Sequence, residues 1–97
     1  MTFDQFKASA DHASPPAGLP PLLVALWHDA RGDWDAAHRV AQDVDDEDGA
    51  WVHAYLHRKE GDDGNARYWY RRAGRSPARG TLQEEWVTIV EALLKQV

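Results

Sequence analysis

The 97-residue chain has no cysteine. That absence removes disulfides, thiolate nucleophiles and cysteine-based zinc sites together. A small core without staples has to rest on packing. Long apolar runs are missing too, since the longest, Leu22–Trp27, is far too short to span a bilayer. The first residues include Asp4 and Asp11 and no basic, apolar leader. They do not read as a signal peptide, and a cytoplasmic location is expected. The formal net charge is −5, which opposes nucleic acid and anionic membrane as partners. Ser9, Ser14 and Ser76 lie in or near linkers or polar turns, without a nucleophile-elbow sequence. Gly61-Asp62-Asp63-Gly64 places carboxylates where a phosphate would be repelled. No cofactor and no catalytic set are expected.

Tryptophan, in contrast, is plentiful. Five in so short a chain can supply large buried areas or interface anchors. Hydrophobic content of 43% and charged content of 28% are ordinary for a globular protein. A single domain over 1–97 is expected, burying roughly 60–65% of its unfolded surface.

Apolar periodicity and capping signals predict an all-α fold of about six helices. Thr2 and Gln5 have capping-box spacing, which starts helix 1 over about Thr2–His12. Ser14–Gly18 reads as a linker. Pro20 and Pro21 suit the first turn of helix 2, which runs to about Arg31 and stops at Gly32. Asp33 can cap helix 3, about Asp33–Val44. The acidic run Asp43–Asp48 suits the N-terminus of the next helix. Read as a calcium loop it fails, because positions six and twelve, counted from Asp43, are Asp48 and Ala54. Helix 4 covers about Gly49–Glu60, and helix 5 runs from Asp62 or Asp63 to Ala73. Arg75–Gly80 is a second linker. Thr81 and Glu84 form another capping box, with Trp86, Ile89, Val90, Leu93 and Leu94 as the apolar face of helix 6.

LLVALWHDARGDWDAAHRVA (22–41) aligns with WVHAYLHRKEGDDGNARYWY (51–70) at an offset of 29 residues. The Gly-Asp pairs coincide, as do Ala25 with Ala54, His28 with His57, and Ala37 with Ala66. Each unit is helix, Gly-Asp turn, helix, and neighbouring units should stack to bury their faces. With Ala25, Ala37, Ala54, Ala66 and Ala73 at the crossing positions, the region 19–75 resembles a tetratricopeptide-repeat hairpin. The offset is shorter than the ~34 residues usual there. Ala stands where that family has Gly, and His28 or His57 where it has an aromatic. The resemblance implies two stacked hairpins flanked by an N-terminal helix (1–14) and a C-terminal capping helix (81–97). It also maps Trp51, Tyr55, Arg58 and Lys59 to a concave, partner-binding groove, and His53, Ala54 and His57 to packing positions. The string WVHAYLHRKEGD…GNARYWYRRAG is also similar to a small uncharacterised bacterial family, which adds no chemistry.

Two candidate sites follow. Trp51, Tyr55, Arg58 and Lys59 could anchor a protein or peptide, or a second copy of the chain, unless a flanking helix covers them. His53, His57, Tyr70 and Arg71 could instead line an anion or small-ligand pocket, the basis of a small-ligand-binding or enzymatic alternative. His53 and His57 also have the i, i+4 spacing of helical metal ligands, with His28 as a third ligand if the units stack. The bland reading is packed histidines within an aromatic interior. Arg58, Arg67, Arg71, Arg72, Arg75 and Arg79 read either as an anion-binding line or as a solvated face pairing with Asp43–Asp48 and Glu84-Glu85.

Overall fold

Each helix starts where a side chain or a proline takes care of a free backbone N–H. The computed structural model describes all 97 residues, Met1–Val97, as six helices without a strand. Thr2 and Gln5 form a full capping box on α1 (Phe3–Ser9), and Thr81 and Glu84 another on α6 (Leu82–Leu94). Asp33, Asp46 and Asp62 cap α3 (Trp34–Gln42), α4 (Glu47–Lys59) and α5 (Asp63–Ala73). α2 (Pro21–Ala30) opens on proline, which lacks the N–H that would otherwise need a partner.

Three boundaries differ from expectation, the first being α3, which ends at Gln42 rather than Val44. α1 ends at Ser9 rather than His12. Beyond Ser9 the backbone turns on Ala10–Lys7, Asp11–Ala8 and His12–Ser9 bonds. Arg31 gathers the freed carbonyls of Ala10 and His12 at 2.7 and 2.5 Å. α4 starts at Glu47 rather than Gly49, because Asp46 accepts from the Gly49 N–H at 2.7 Å. Gly49 is required in that first turn: a Cβ there would stand 1.9 Å from the Val44 carbonyl oxygen.

The sequence repeat is also a backbone repeat. Gly32 and Gly61 both have left-handed φ, +82° and +89°, a conformation open to glycine at little cost. Asp33 and Asp62 follow with matching angles, −102°/77° and −94°/78°. Their N–H groups reach back 3.0 Å to the carbonyls of His28 and His57. Two hairpins result, α2–α3 and α4–α5, with α3 packed on α4. Ala25, Ala37, Ala54, Ala66 and Ala73 are all buried, and small side chains let helix axes approach closely.

α6 packs on both α2 and α4, and α1 packs on α2 and α6. Trp86 fastens α6: its Nε1–H donates to the Leu26 carbonyl at 3.2 Å, and the rings of Phe3 and Phe6 sit 5.9 Å away. A single buried cluster draws side chains from all six helices. No helix is long and apolar enough to cross a membrane.

Candidate functional site

α4 is enclosed on opposite sides. Every residue from Gly49 to His57 is buried, so its side chains divide between two internal interfaces.

The first interface faces α2 and α6. Trp51 and Tyr55, placed by the repeat analogy on a groove unless a flanking helix covers them, are only 4% and 2% exposed. α6 is that cover, bringing Glu85 and Trp86 onto this face. Tyr55 donates its hydroxyl to Asp29 at 2.7 Å, and Lys59 donates to the other oxygen of Asp29 at 2.8 Å. Glu85 accepts from the Tyr70 hydroxyl at 2.5 Å, from Arg58 at 2.9 Å and, weakly, from the Trp51 indole at 3.4 Å. Arg58 also donates to the Gly80 carbonyl. The Arg75 guanidinium caps the Trp51 ring at 3.4 Å.

Asp29 and Glu85 are thus buried carboxylates with full sets of donors. Burial, followed by the bond to Asp29, pushes the Tyr55 hydroxyl far above its ordinary pKa. Burial and the bond to Glu85 do the same for Tyr70. Both phenols therefore stay protonated and donate; neither is poised as a base. Trp51 and Arg58 tie α4 to α6 through Glu85, and Tyr55 and Lys59 tie it to α2 through Asp29.

The second interface faces α3 and α5. His53 and His57, one turn apart on α4, stack with ring centroids 4.7 Å apart. The third imidazole comes from α3: His38 Nε2 lies 2.9 Å from His53 Nε2. Its ring centroid is 5.3 Å from that of His57. Each ring has its own support. Trp34 stacks on His38 at 4.9 Å and is itself pinned by an indole bond to the Leu56 carbonyl at 2.7 Å. Trp69 of α5 stacks on His53 at 3.9 Å. Glu60 accepts from His57 Nδ1–H at 2.6 Å. Burial, reinforced by the neighbouring histidines, lowers the His53 pKa to about 4 and lowers that of His38 as well.

The expected pocket of His53, His57, Tyr70 and Arg71 does not assemble. The histidines face α3, the Tyr70 hydroxyl points to Glu85 on the other interface, and Arg71 is exposed. His28 does not join the histidines either. It matches His57 in the backbone repeat, but the first unit has no preceding second helix to pack on that face. His28 stays half-buried with its ring against Trp27, 5.1 Å away.

α5 packs only on α4, which leaves its outer side free. Arg67, Tyr68, Arg71 and Arg72 are exposed along it. At about 100° per residue they span roughly 140° of the helix surface. Arg72 lies over Trp69 at 5.3 Å and reaches Asp45 at 3.7 Å. Arg67 and Arg71 have no carboxylate within ion-pair distance. No known protein family, curated protein or solved structure matches the chain.

Two contributors escaped the sequence reading: His38 and Asp29. His38 had a usable signal, since Trp34 and His38 repeat on α3 the i, i+4 spacing of His53 and His57 on α4. Asp29 interrupts the apolar stretch of helix 2, which marks a carboxylate needing an internal partner. Glu85, expected as a partner of the arginines, does pair with Arg58, but in a buried contact rather than on a solvated face.

Proposed function

We propose that this chain is a non-catalytic binding module, a tetratricopeptide-like hairpin stack that takes an acidic protein or peptide segment on the outer side of α5. The supporting observation is the pair Arg67 and Arg71, exposed and free of ion-pair partners on a protein of net charge −5. Tyr68, 43% exposed, stands beside them. Arginine and tyrosine are favoured interface anchors, and an arginine fork suits carboxylates. The groove side of α4 is closed by α6, so the binding face moves from helix 4 to helix 5. The same reading assigns the module to the bacterial cytoplasm and leaves nucleic acid and membrane aside.

Fluorescence anisotropy with a fluorescein-labelled peptide of glutamates spaced by leucines tests the reading. The chain binds the peptide, added salt weakens binding, and Arg67→Glu with Arg71→Glu weakens it about tenfold or more, equivalent to about 1.4 kcal/mol. An affinity indifferent to both changes contradicts the proposal. A partner that is a second copy would supply its Asp43–Asp48 run. Sedimentation velocity would then show a dimer that the same double variant dissociates.

A further inference from the structure

We propose that His38, His53 and His57 form a binding site for a divalent first-row transition cation of the zinc class. The site is independent of the arginine face and does not rely on it. Its ligating nitrogens lie within 4.8 Å of one another. Zinc holds imidazole nitrogens at about 2.0–2.1 Å, which in a tetrahedron sets them about 3.3 Å apart. His38 Nε2 and His53 Nε2, at 2.9 Å, are already close to that spacing. Closing the rest of the cluster takes shifts of roughly 1.5 Å at most, with the His57 ring turning out of its stack on His53.

Support around the rings argues for the same use. Trp34 fixes His38 and Trp69 fixes His53. Glu60 takes the Nδ1–H of His57, which leaves the lone pair of that ring on Nε2. A carboxylate behind a histidine in this manner sets its tautomer and raises its basicity toward a metal. Glu60 is 37% exposed on its side chain, so its place behind His57 is not forced by core packing.

Packing alone makes poor use of this arrangement. The His38–His53 contact needs the proton on one Nε2 and a lone pair on the other. His57 Nε2 has no hydrogen-bond partner in the protein; its only side-chain bond is through Nδ1. No carboxylate is bonded to His38 or His53 to favour an imidazolium. A cation accepts all three lone pairs at once, with the remaining protons on Nδ1.

Charge and access are compatible. His53 and Trp69 line a cleft of about 420 Å³ whose edge carries Asp45, Asp46, Glu47 and Arg72. Asp45 there pairs with Arg72 and Asp46 caps the Gly49 N–H, which leaves Glu47 as the carboxylate free to draw in a cation. Three imidazoles with no thiolate and no directly ligating carboxylate suit zinc, nickel or copper. Calcium and magnesium demand oxygen ligands. Three protein ligands leave one of four positions to solvent.

Titration of the chelator-stripped full chain with zinc chloride, followed by calorimetry, tests the site. One zinc binds per chain, and cobalt chloride gives the intense visible bands of four-coordinate Co²⁺. His38→Ala and His53→Ala each weaken zinc by about 100-fold or more, and Glu60→Gln weakens it about tenfold. His28→Ala leaves the affinity unchanged. Circular dichroism confirms that each variant remains helical, and Glu60→Gln, at a partly exposed position, keeps the test valid if the buried variants unfold. Absence of 1:1 binding, or an affinity unchanged in both Glu60→Gln and His38→Ala, overturns the proposal. Equal binding of magnesium would overturn the assignment to the zinc class.

Discussion

The two interfaces of α4 are built from the same helix and differ in how their polar atoms are used. Toward α2 and α6, the carboxylates of Asp29 and Glu85 meet two phenols, two cations and an indole. Every strong donor there has an acceptor. Toward α3 and α5, three imidazoles meet each other and two indole faces, with one carboxylate behind the outermost ring. One hydrogen bond, His38 to His53, links imidazoles there, and His57 Nε2 bonds to no protein group. A buried network with complete pairing acts as a fastener. A cluster of neutral donor atoms held by separate supports remains available to a ligand.

The strongest way to break this contrast is to remove Glu85. Glu85→Ala leaves Arg58 uncompensated and Tyr70 unbonded beneath α6. It should cost about 3–5 kcal/mol, as other broken buried ion pairs do, read from urea denaturation. That is a large part of the ~5–15 kcal/mol expected of a domain. Zinc affinity per folded molecule should stay unchanged. A cost below about 1 kcal/mol, the range of surface pairs, would mean that the Glu85 network fastens nothing.

The next effect sharpens the other half. Zinc at about 100 times its Kd should stabilise the wild-type chain by about 2.7 kcal/mol. For a domain of this size that is a rise in Tm of roughly 10–20 °C. His38→Ala should lose most of that rise, whereas His28→Ala should keep it.

A smaller effect depends on pH. The folded-state pKa of Tyr70 lies above its unfolded value, so the contribution is complete below about pH 10 and is lost progressively as pH rises beyond it. Tyr70→Phe should flatten the decline of Tm above pH 10. It should also lower Tm at neutral pH, because Glu85 loses a donor. A decline equally steep in both proteins would remove Tyr70 from the fastening network.

The smallest stability effect belongs to the arginine face. Arg67→Glu with Arg71→Glu should change unfolding free energy by no more than about 0.5 kcal/mol per site, the usual range for surface changes. A larger loss would show that these side chains serve the fold rather than a partner.

Much of this architecture was legible in the chain. Aspartate caps, capping boxes and the two Gly-Asp turns act within a few residues, so Thr2, Asp33, Asp62 and Thr81 fell where local chemistry put them. The 29-residue repeat survived as matching backbone angles at Asp33 and Asp62. Helical spacing also identified the two sides of α4. It could not identify what lies opposite each side, because that depends on how separate hairpins stack. Trp51 and Tyr55 were readable as one stripe, but their cover by Glu85 and Trp86 arises from residues more than thirty positions away. His28 aligned with His57 and was a natural third histidine. Stacking instead brings α3 of the first unit against α4 of the second, and His38 takes that place.

The most direct measurement is a thermal melt, with and without zinc, of three proteins side by side: wild type, Glu85→Gln and His38→Gln. Glu85→Gln should melt lower than wild type yet keep the full zinc-induced rise. His38→Gln should melt near wild type without zinc and gain little from it. Loss of the zinc response in Glu85→Gln, or its retention in His38→Gln, would contradict the division of α4 into a fastening face and a ligand face.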